Sequence, residues 1–444
     1  MGTERQHGAE AGPVDAEAAC VEAAGAAPHP RRVTATVVIL LTIVLDSAAL
    51  GVIFPALPGL VRTLHVKAAG STAEIIGLLA IAFAGMQFLA SPMQGALSDR
   101  FGRRPIVLAS NFGLGVNYLI MALAPNFIWL FAGRLISGAA AGSTSAAYAY
   151  VADISTPKQR AASFGFLQAA QGLGFAIGPA IGGLLVDYID VRAPFWAAAV
   201  LSLGNTVFGL IALPESLAKD RRATLTLRQL NPFAAIYGLI KGYPRLLGIL
   251  TPSFLMNVIF TGLFSIAAVY TTYRYGWSGL HIGLYLLVLA GGFMAATALL
   301  PTLVVGRLGE RAAAVGGMML QALALLVAGL ATSGAGYLWA VPLLCFGAVA
   351  NPAWSAIASH SVGANEQGRL NGAATSLSSL AGVLGPGLFA EVFAHSVSSG
   401  CKSFAASACN TITAGSPFFV AAGMAAFAAV IAYFATLGHE PVTT

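Results

Sequence analysis

Charge is what this sequence has least of. Of 444 residues, only 9% are Asp, Glu, Lys or Arg, against about 25% in an ordinary soluble domain. So few charges cannot clothe the surface of a soluble enzyme, a secreted domain or a nucleic-acid-binding module. Cysteine is scarce as well. The four present, Cys20, Cys345, Cys401 and Cys409, are too few for a disulfide framework. Catalytic signatures are also missing. No G-x-x-x-x-G-K-[ST] loop is there to cradle a nucleotide. No H-E-x-x-H or Cys/His zinc spacing could hold a metal, and the seven His are scattered. No Ser sits in a G-x-S-x-G elbow. The expectation is a protein that is not an enzyme, needs no cofactor and no metal, and does not bind nucleic acid.

What the sequence has in excess is apolar surface. Hydrophobic residues make up 57% and mean hydropathy is +0.79. The 51 glycines suit membrane helices that pack closely through small residues. A helix needs roughly 20 apolar residues to cross a bilayer. Apolar runs bounded by charges, Pro and polar clusters number twelve: spans 1 to 12 at 33–58, 72–97, 104–124, 127–152, 161–187, 193–213, 247–272, 280–305, 311–332, 337–359, 370–395 and 416–438. The fold expected is therefore an all-α membrane protein of twelve transmembrane helices in two six-helix halves.

Lys and Arg set the orientation. With the N-terminus inside, cytoplasmic segments carry 17 of the 23 basic residues and outside segments 5, while Arg134 falls within span 4. That is the positive-inside bias of a twelve-span chain with both termini cytoplasmic. The expected organisation is a disordered cytoplasmic tail at 1–32, a six-helix bundle at 33–213, a basic cytoplasmic linker at 214–246, a second bundle at 247–438 and a short tail at 439–444. In this orientation the 396–415 loop faces the oxidising side. Cys401 and Cys409 enclose only seven residues there, so a bridge between them is expected.

The halves echo each other. Gly178-Pro179 in span 5 and Gly385-Pro386 in span 11 lie 207 residues apart, and the same offset carries Gly165 onto Gly372. GALSDRFGRRP (95–105), after span 2, has a degenerate counterpart in VVGRLGERAAA (304–314), after span 8. Duplicated six-helix units are how many secondary transporters are built, with substrate bound near the midplane between halves.

Four stretches point further. Gly95, Asp99, Arg100, Gly102, Arg103 and Arg104 stand in the loop between spans 2 and 3. LDSAALGVIFPALPGL (45–60) lies in span 1, GRLISGAAAGS (133–143) in span 4 and GLGFAIGPAIGG (172–183) in span 5. Together they resemble the signature motifs of the major facilitator superfamily, in its proton-coupled drug antiporter branch. The likeness is greatest to the bacterial tetracycline/proton antiporters and runs over almost the whole chain beyond the tail. The resemblance implies a bacterial inner-membrane carrier, monomeric, partnered by a small-molecule substrate, protons and lipid. It also implies roles for particular residues: a gate built from Gly95, Asp99, Gly102, Arg103, Arg104 and Asp153, with Asp99 facing the start of span 11 and Arg103 bridging to Asp153; and a packed, kinked antiporter helix carrying Gly174, Gly178, Pro179, Gly182 and Gly183.

The residues themselves support these expectations. Asp46 is the acid nearest the centre of any span, and an ionised carboxylate there costs about 2.5–3.5 kcal/mol on insertion scales. The protonated form avoids that cost, which makes Asp46 a candidate proton carrier. Arg134 stays charged and must find an anion, carbonyls or water; by the resemblance it sits near the proton site. Substrate-lining candidates are Gln87, Asn117, Gln171, Asn257, Gln321 and Trp354, with Asn111, Asn351, Ser355 and Phe260 among further in-span polar and aromatic residues. Each of these is as readily a helix–helix contact. Tetracycline antiporters usually carry acids in spans 3 and 9, where this sequence has Asn117 and Gln321. The function expected is proton-driven export of an amphipathic small molecule. The alternatives are a metabolite or sugar porter, and a non-transporting sensor or scaffold on the same fold.

Overall fold

The structure is a computed structural model that describes residues 30–64, 69–141, 143–155, 160–217, 222, 244–361, 367–400 and 411–436. Most of the first tail, most of the linker and the Cys401–Cys409 segment lie outside them. Among the described residues there is no strand. Ten helical stretches are long and apolar enough to cross a membrane, and one of them, Gly279–Leu330, is 52 residues long. At 1.5 Å per residue that stretch crosses twice, as span 8 (Gly279–Leu300) and span 9 (Gly306–Leu330) joined by a π-helical turn at Pro301–Val305. Span 4 is in two pieces, Phe127–Ala140 and Ser143–Ile154. With these two adjustments the helices are consistent with the twelve spans read from the sequence.

Local chemistry starts and ends the helices. The Asn126 side chain accepts from the backbone of Ile128 at 3.1 Å and Trp129 at 3.4 Å, capping span 4. Ser333 does the same for the helix leading into span 10, accepting from Gly336 at 3.1 Å. Arg192 donates to the final carbonyls of span 3, Ala122 at 2.6 Å and Ala124 at 2.9 Å, tying that end to the start of span 6. Bulky apolar side chains such as Val200, Ile211 and Phe427 stay exposed, as a surface facing lipid requires.

Spans 1 to 6 pack among themselves, and so do spans 7 to 12; the halves meet chiefly where span 2 lies on span 11 and span 5 on span 8. The 207-residue offset relates these two pairs. It also relates backbone detail: Gly102 (φ 111, ψ 161) and Gly309 (φ 79, ψ 162) share a conformation open essentially to glycine alone. Arg103 pairs with Asp153 at 3.1 Å, and the residues 207 further on, Glu310 and His360, lie 3.4 Å apart with the basic and acidic roles exchanged.

The halves are not parallel. At the end away from the 95–105 loop, Gly183 lies against the Gly279 backbone, and a Cβ at Gly283 would come within 2.9 Å of the Ala180 Cα. Toward the loop end, Gly172 has Met294 at 3.6 Å and Gly165 has nothing within 4 Å. Spans 2 and 11 repeat the trend. Gly77 touches Ala390 and Gly387 has Ile81 at 2.9 Å; Gly382 meets only Ala84 at 3.8 Å, and Gly95 meets nothing within 4 Å. The halves are sealed at one end and splayed at the end carrying the 95–105 loop.

Candidate proton site, gate and substrate cavity

Asp46 is 5% exposed and turned into its own half, toward spans 3 and 6. Asn205 donates to it at 3.1 Å and to the Thr42 carbonyl at 3.1 Å. With its amide nitrogen turned to the carboxylate, Asn111 donates to the two Asp46 oxygens at 3.1 and 2.8 Å while its oxygen accepts from Asn205 at 3.0 Å. Such donations are what make a buried carboxylate tolerable. Asn111 stood among the in-span polar residues of the sequence; Asn205 did not, and only the packing of span 6 on spans 1 and 3 reveals it.

Arg134 belongs to the same region. Tyr118 lies within electrostatic range of both Asp46 and Arg134. Around them, buried polar atoms have no hydrogen-bond partner among the described residues: Arg134 Nε, the Tyr118 hydroxyl, both amide atoms of Asn117, Thr42 Oγ1 and Ser202 Oγ. Stable interiors seldom leave such groups unpaired. They are gathered around the buried carboxylate of Asp46 and the Arg134 side chain.

At the splayed end, Arg103 forms ion pairs with Asp99 at 2.5 Å and Asp153 at 3.1 Å. Ser216 donates to Asp153 at 3.1 Å, and Arg104 donates to the Leu210 carbonyl at 2.5 Å. Glu215, which sequence reasoning passed over, accepts from the Arg103 backbone at 2.9 Å and lies where a side chain at Gly102 would go. The clasp therefore joins spans 2, 3 and 4 with the segment after span 6. Asp99 is 48% exposed with Arg103 as its ion-pair partner, and the side chains opening span 11 are outside the described set.

Span 5 presents two faces. Gly174 and Gly178 lie on the Val44 and Ala48 carbonyls, with 2.5 Å to a Cβ built at either, and Gly182 lies on Val52; all three contacts are with span 1. Gly183 and the Pro179 carbonyl face span 8 of the other half, while the Pro179 ring rests on Gly51 of span 1. Where span 5 ends, the Asp187 carboxylate accepts from the backbone of Gly279 at 2.9 Å and Leu280 at 2.8 Å. An acid on the positive end of span 8's dipole thus latches the sealed end.

A cavity of about 540 Å³ lies in the second half. Asn257, Gln321 and Trp354 line it, with Asn351, Ser355 and Phe260. Gln87, Asn117 and Gln171 are not on its wall: the Gln87 backbone packs on Gly138 of span 4, and the Asn117 amide packs by Gly133. The Trp354 indole N–H is committed to the Ile249 carbonyl at 2.8 Å, leaving the ring as an apolar face. Tyr285 and Tyr337, also on the wall, share a hydroxyl contact of 3.1 Å. With Tyr270, Tyr275, Trp277, Phe393 and Phe418 they form one aromatic cluster toward the sealed end. The run YTTYRYGW (270–277) is its signal in the sequence.

Two six-helix bundles related by an internal repeat, splayed at one end and flanked by a buried acid and an apolar cavity, define a membrane transport protein. The sequence profile of the Major Facilitator Superfamily matches residues 39–386. The chain belongs to that superfamily. It is 36% identical over 364 residues to the class C tetracycline resistance protein of Escherichia coli, covering 82% of this chain and 91% of the relative. It is 28% identical over 376 residues to multidrug resistance protein 2 of Bacillus subtilis strain 168, covering 81% and 89%. Among solved structures, a bacterial homologue of the human lysosomal transporter Spinster, inward-facing and occupied, aligns with a TM-score of 0.73 at 15% identity, covering 94% of this chain and all of that one. The relatives are transporters, and this chain is a multi-pass membrane transporter rather than an enzyme.

Proposed function

We propose that the chain exports an amphipathic drug-like molecule from the bacterial cytoplasm across the inner membrane, driven by inward proton movement through Asp46. The observation that carries this reading is Asp46 itself, a mid-span carboxylate in a network of amides beside Arg134. The kinship with tetracycline and multidrug resistance proteins supports the export direction. The Lys/Arg bias puts the termini, the 214–246 linker and the 95–105 loop in the cytoplasm. The splayed end is then cytoplasmic and the conformation inward-open, with the Asp187 latch closing the periplasmic side.

The coupling follows from contacts. The carboxylate of Asp46 accepts up to three amide hydrogen bonds. A protonated carboxyl cannot keep them all, so proton binding changes how span 1 seats on spans 3 and 6. Span 1 is keyed into span 5 through Gly174, Gly178 and Gly182, and the other face of span 5 rests on span 8. A change at Asp46 therefore reaches the interface between halves through two tight helix contacts. Arg134 favours proton release as the site rearranges. The electrical part of the proton gradient supplies about 2.3 kcal/mol per charge per 100 mV.

The test is substrate-induced proton release in proteoliposomes. Asp46→Asn keeps the shape but cannot titrate, and is expected to abolish the release while leaving expression and monodispersity unchanged. Coupled flux at the wild-type level in that variant would remove Asp46 from the mechanism.

A further inference from the structure

Among the described residues, the wall of the cavity carries no Asp, Glu, Lys, Arg or His; its titratable groups there are the phenols of Tyr285 and Tyr337, which are occupied with each other. Among the described residues no group of His, Cys, Asp or Glu could hold a metal ion. The other polarity of the described wall is uncharged: Ser253, Asn351, Ser355 and Ser378 stand beside Asn257, Gln321 and Trp354. Asn257 gives one N–H to the Ser253 carbonyl at 2.9 Å and keeps its second N–H and its oxygen. Trp354 has committed its N–H and offers only a ring face. Gln321 is 5% exposed, lines the cavity and makes no hydrogen bond among the described residues. Its stem is fixed in span 9 by Gly347 of span 10, where a Cβ would stand 2.5 Å from its Cγ. An amide so buried and so held presents one donor and one acceptor side by side and is costly to leave unmet.

These facts restrict the ligand. A charged molecule entering such a wall loses its hydration and finds no counter-charge. A hard divalent cation wants several oxygen ligands, carboxylates above all, and the wall has none to give. An uncharged ring system loses little and gains the faces of Trp354, Phe260 and their neighbours. We infer that this cavity takes a ligand without metal and without net charge, apolar over most of its surface, with an amide-like donor–acceptor edge read by Gln321. Gln321 is then a residue that sets specificity, with the more open amide of Asn351 beside it on the wall. This deepens the exporter reading and rests on it for the claim that the bound molecule is cargo.

The experiment is equilibrium binding to the full-length protein in lipid nanodiscs, with no gradient imposed. The probes are chloramphenicol, an uncharged aromatic amide, and tetracycline, each measured with excess Mg²⁺ and again with EDTA. Both are expected to bind equally well, within about twofold, in the two conditions. Gln321→Leu is expected to weaken both by about tenfold, the equivalent of one buried hydrogen bond. Gln321→Asn, which keeps the amide on a shorter stem, should fall between; it serves as the test if the leucine variant does not fold. Tighter binding of tetracycline with Mg²⁺ by tenfold or more overturns the inference. So does failure of both probes to bind without metal, or unaltered affinity in folded Gln321 variants. Binding as expected without any pH-driven export would sink the exporter reading and leave the cavity's chemistry standing. Export of the Mg²⁺–tetracycline chelate with metal-dependent binding would do the reverse.

Discussion

Gly102 and Gly309 occupy equivalent places in the two halves and share a backbone conformation, but their surroundings differ. A side chain at Gly102 would strike the Glu215 carboxylate, whereas Gly309 has nothing within 4 Å. Each Ala substitution costs backbone strain of about 1–3 kcal/mol; only Gly102→Ala must also displace Glu215 from the Arg103 backbone. The expected outcome is a larger drop in thermal unfolding temperature for Gly102→Ala than for Gly309→Ala, read by scanning fluorimetry in detergent. Equal drops would mean that Glu215 contributes nothing to the clasp. At this scale the sequence announced residues whose type was improbable in its setting. Asp46 and Arg134 stood out because charge in a span is expensive, and Gly95, Asp99 and Gly102 because their spacing was a pattern. Glu215 and Asn205 stood out in neither way. Each acquires its role only by meeting a residue more than a hundred positions away.

Among the helices, span 5 has the most to hold. One face keys into span 1 and the other seals the two halves, and its last turn supplies Asp187 to the start of span 8. Removing that carboxylate frees two backbone N–H groups at a helix start, a loss of about 1.5–3 kcal/mol for bonds to a charged group. Asp187→Ala is therefore expected to raise the outward-open population, seen as faster labelling of a cysteine placed at Ala180, which faces Gly283 across the seal, by a membrane-impermeant thiol reagent applied from the periplasmic side. No change in rate would show that the latch is ornamental. The number and limits of the spans were legible because lipid demands length and hydrophobicity. Which face of a span looks where was not. Gln87 and Gln171 are as polar as Gln321, yet only Gln321 reaches the cavity. That difference depends on helix rotation and neighbours, and a helix that is apolar on both its lipid-facing and its core-facing sides gives little rotation to read. The break in span 4 and the π turn after span 8 were invisible for the same reason, since hydropathy runs through both.

Over the whole molecule, the proposed alternating access requires the two interface pairs, spans 2 with 11 and 5 with 8, to close and open together. Cysteines at Ile81 and Gly387, which meet across the same interface toward the sealed end, are expected to cross-link in the resting protein. A cysteine at Gly95 or Gly165, in open space at the splayed end, is expected to react quickly with a reagent supplied from the cytoplasm. Adding a substrate and an opposing pH gradient should reverse both. Cross-linking that persists unchanged through rounds of transport would contradict a rocking motion about this interface. The repeat itself could be read from Gly178-Pro179 and Gly385-Pro386; the direction of splay could not, because hydropathy and motif spacing are the same whichever end is open.

Chemistry is divided unequally between the halves. The buried acid, its amides and Arg134 belong to the first, and the neutral cavity to the second. On the function proposed above, energy supply and recognition would be held by separate parts of a single chain, joined by backbone contacts that do not depend on what is carried. Substitutions on the cavity wall would then accumulate without touching the proton machinery, and a lineage built on this plan would change its cargo by drift in spans 7 to 12 alone. A chain that joins this first half to the second half of a relative should inherit the relative's resistance spectrum and keep its own response to pH.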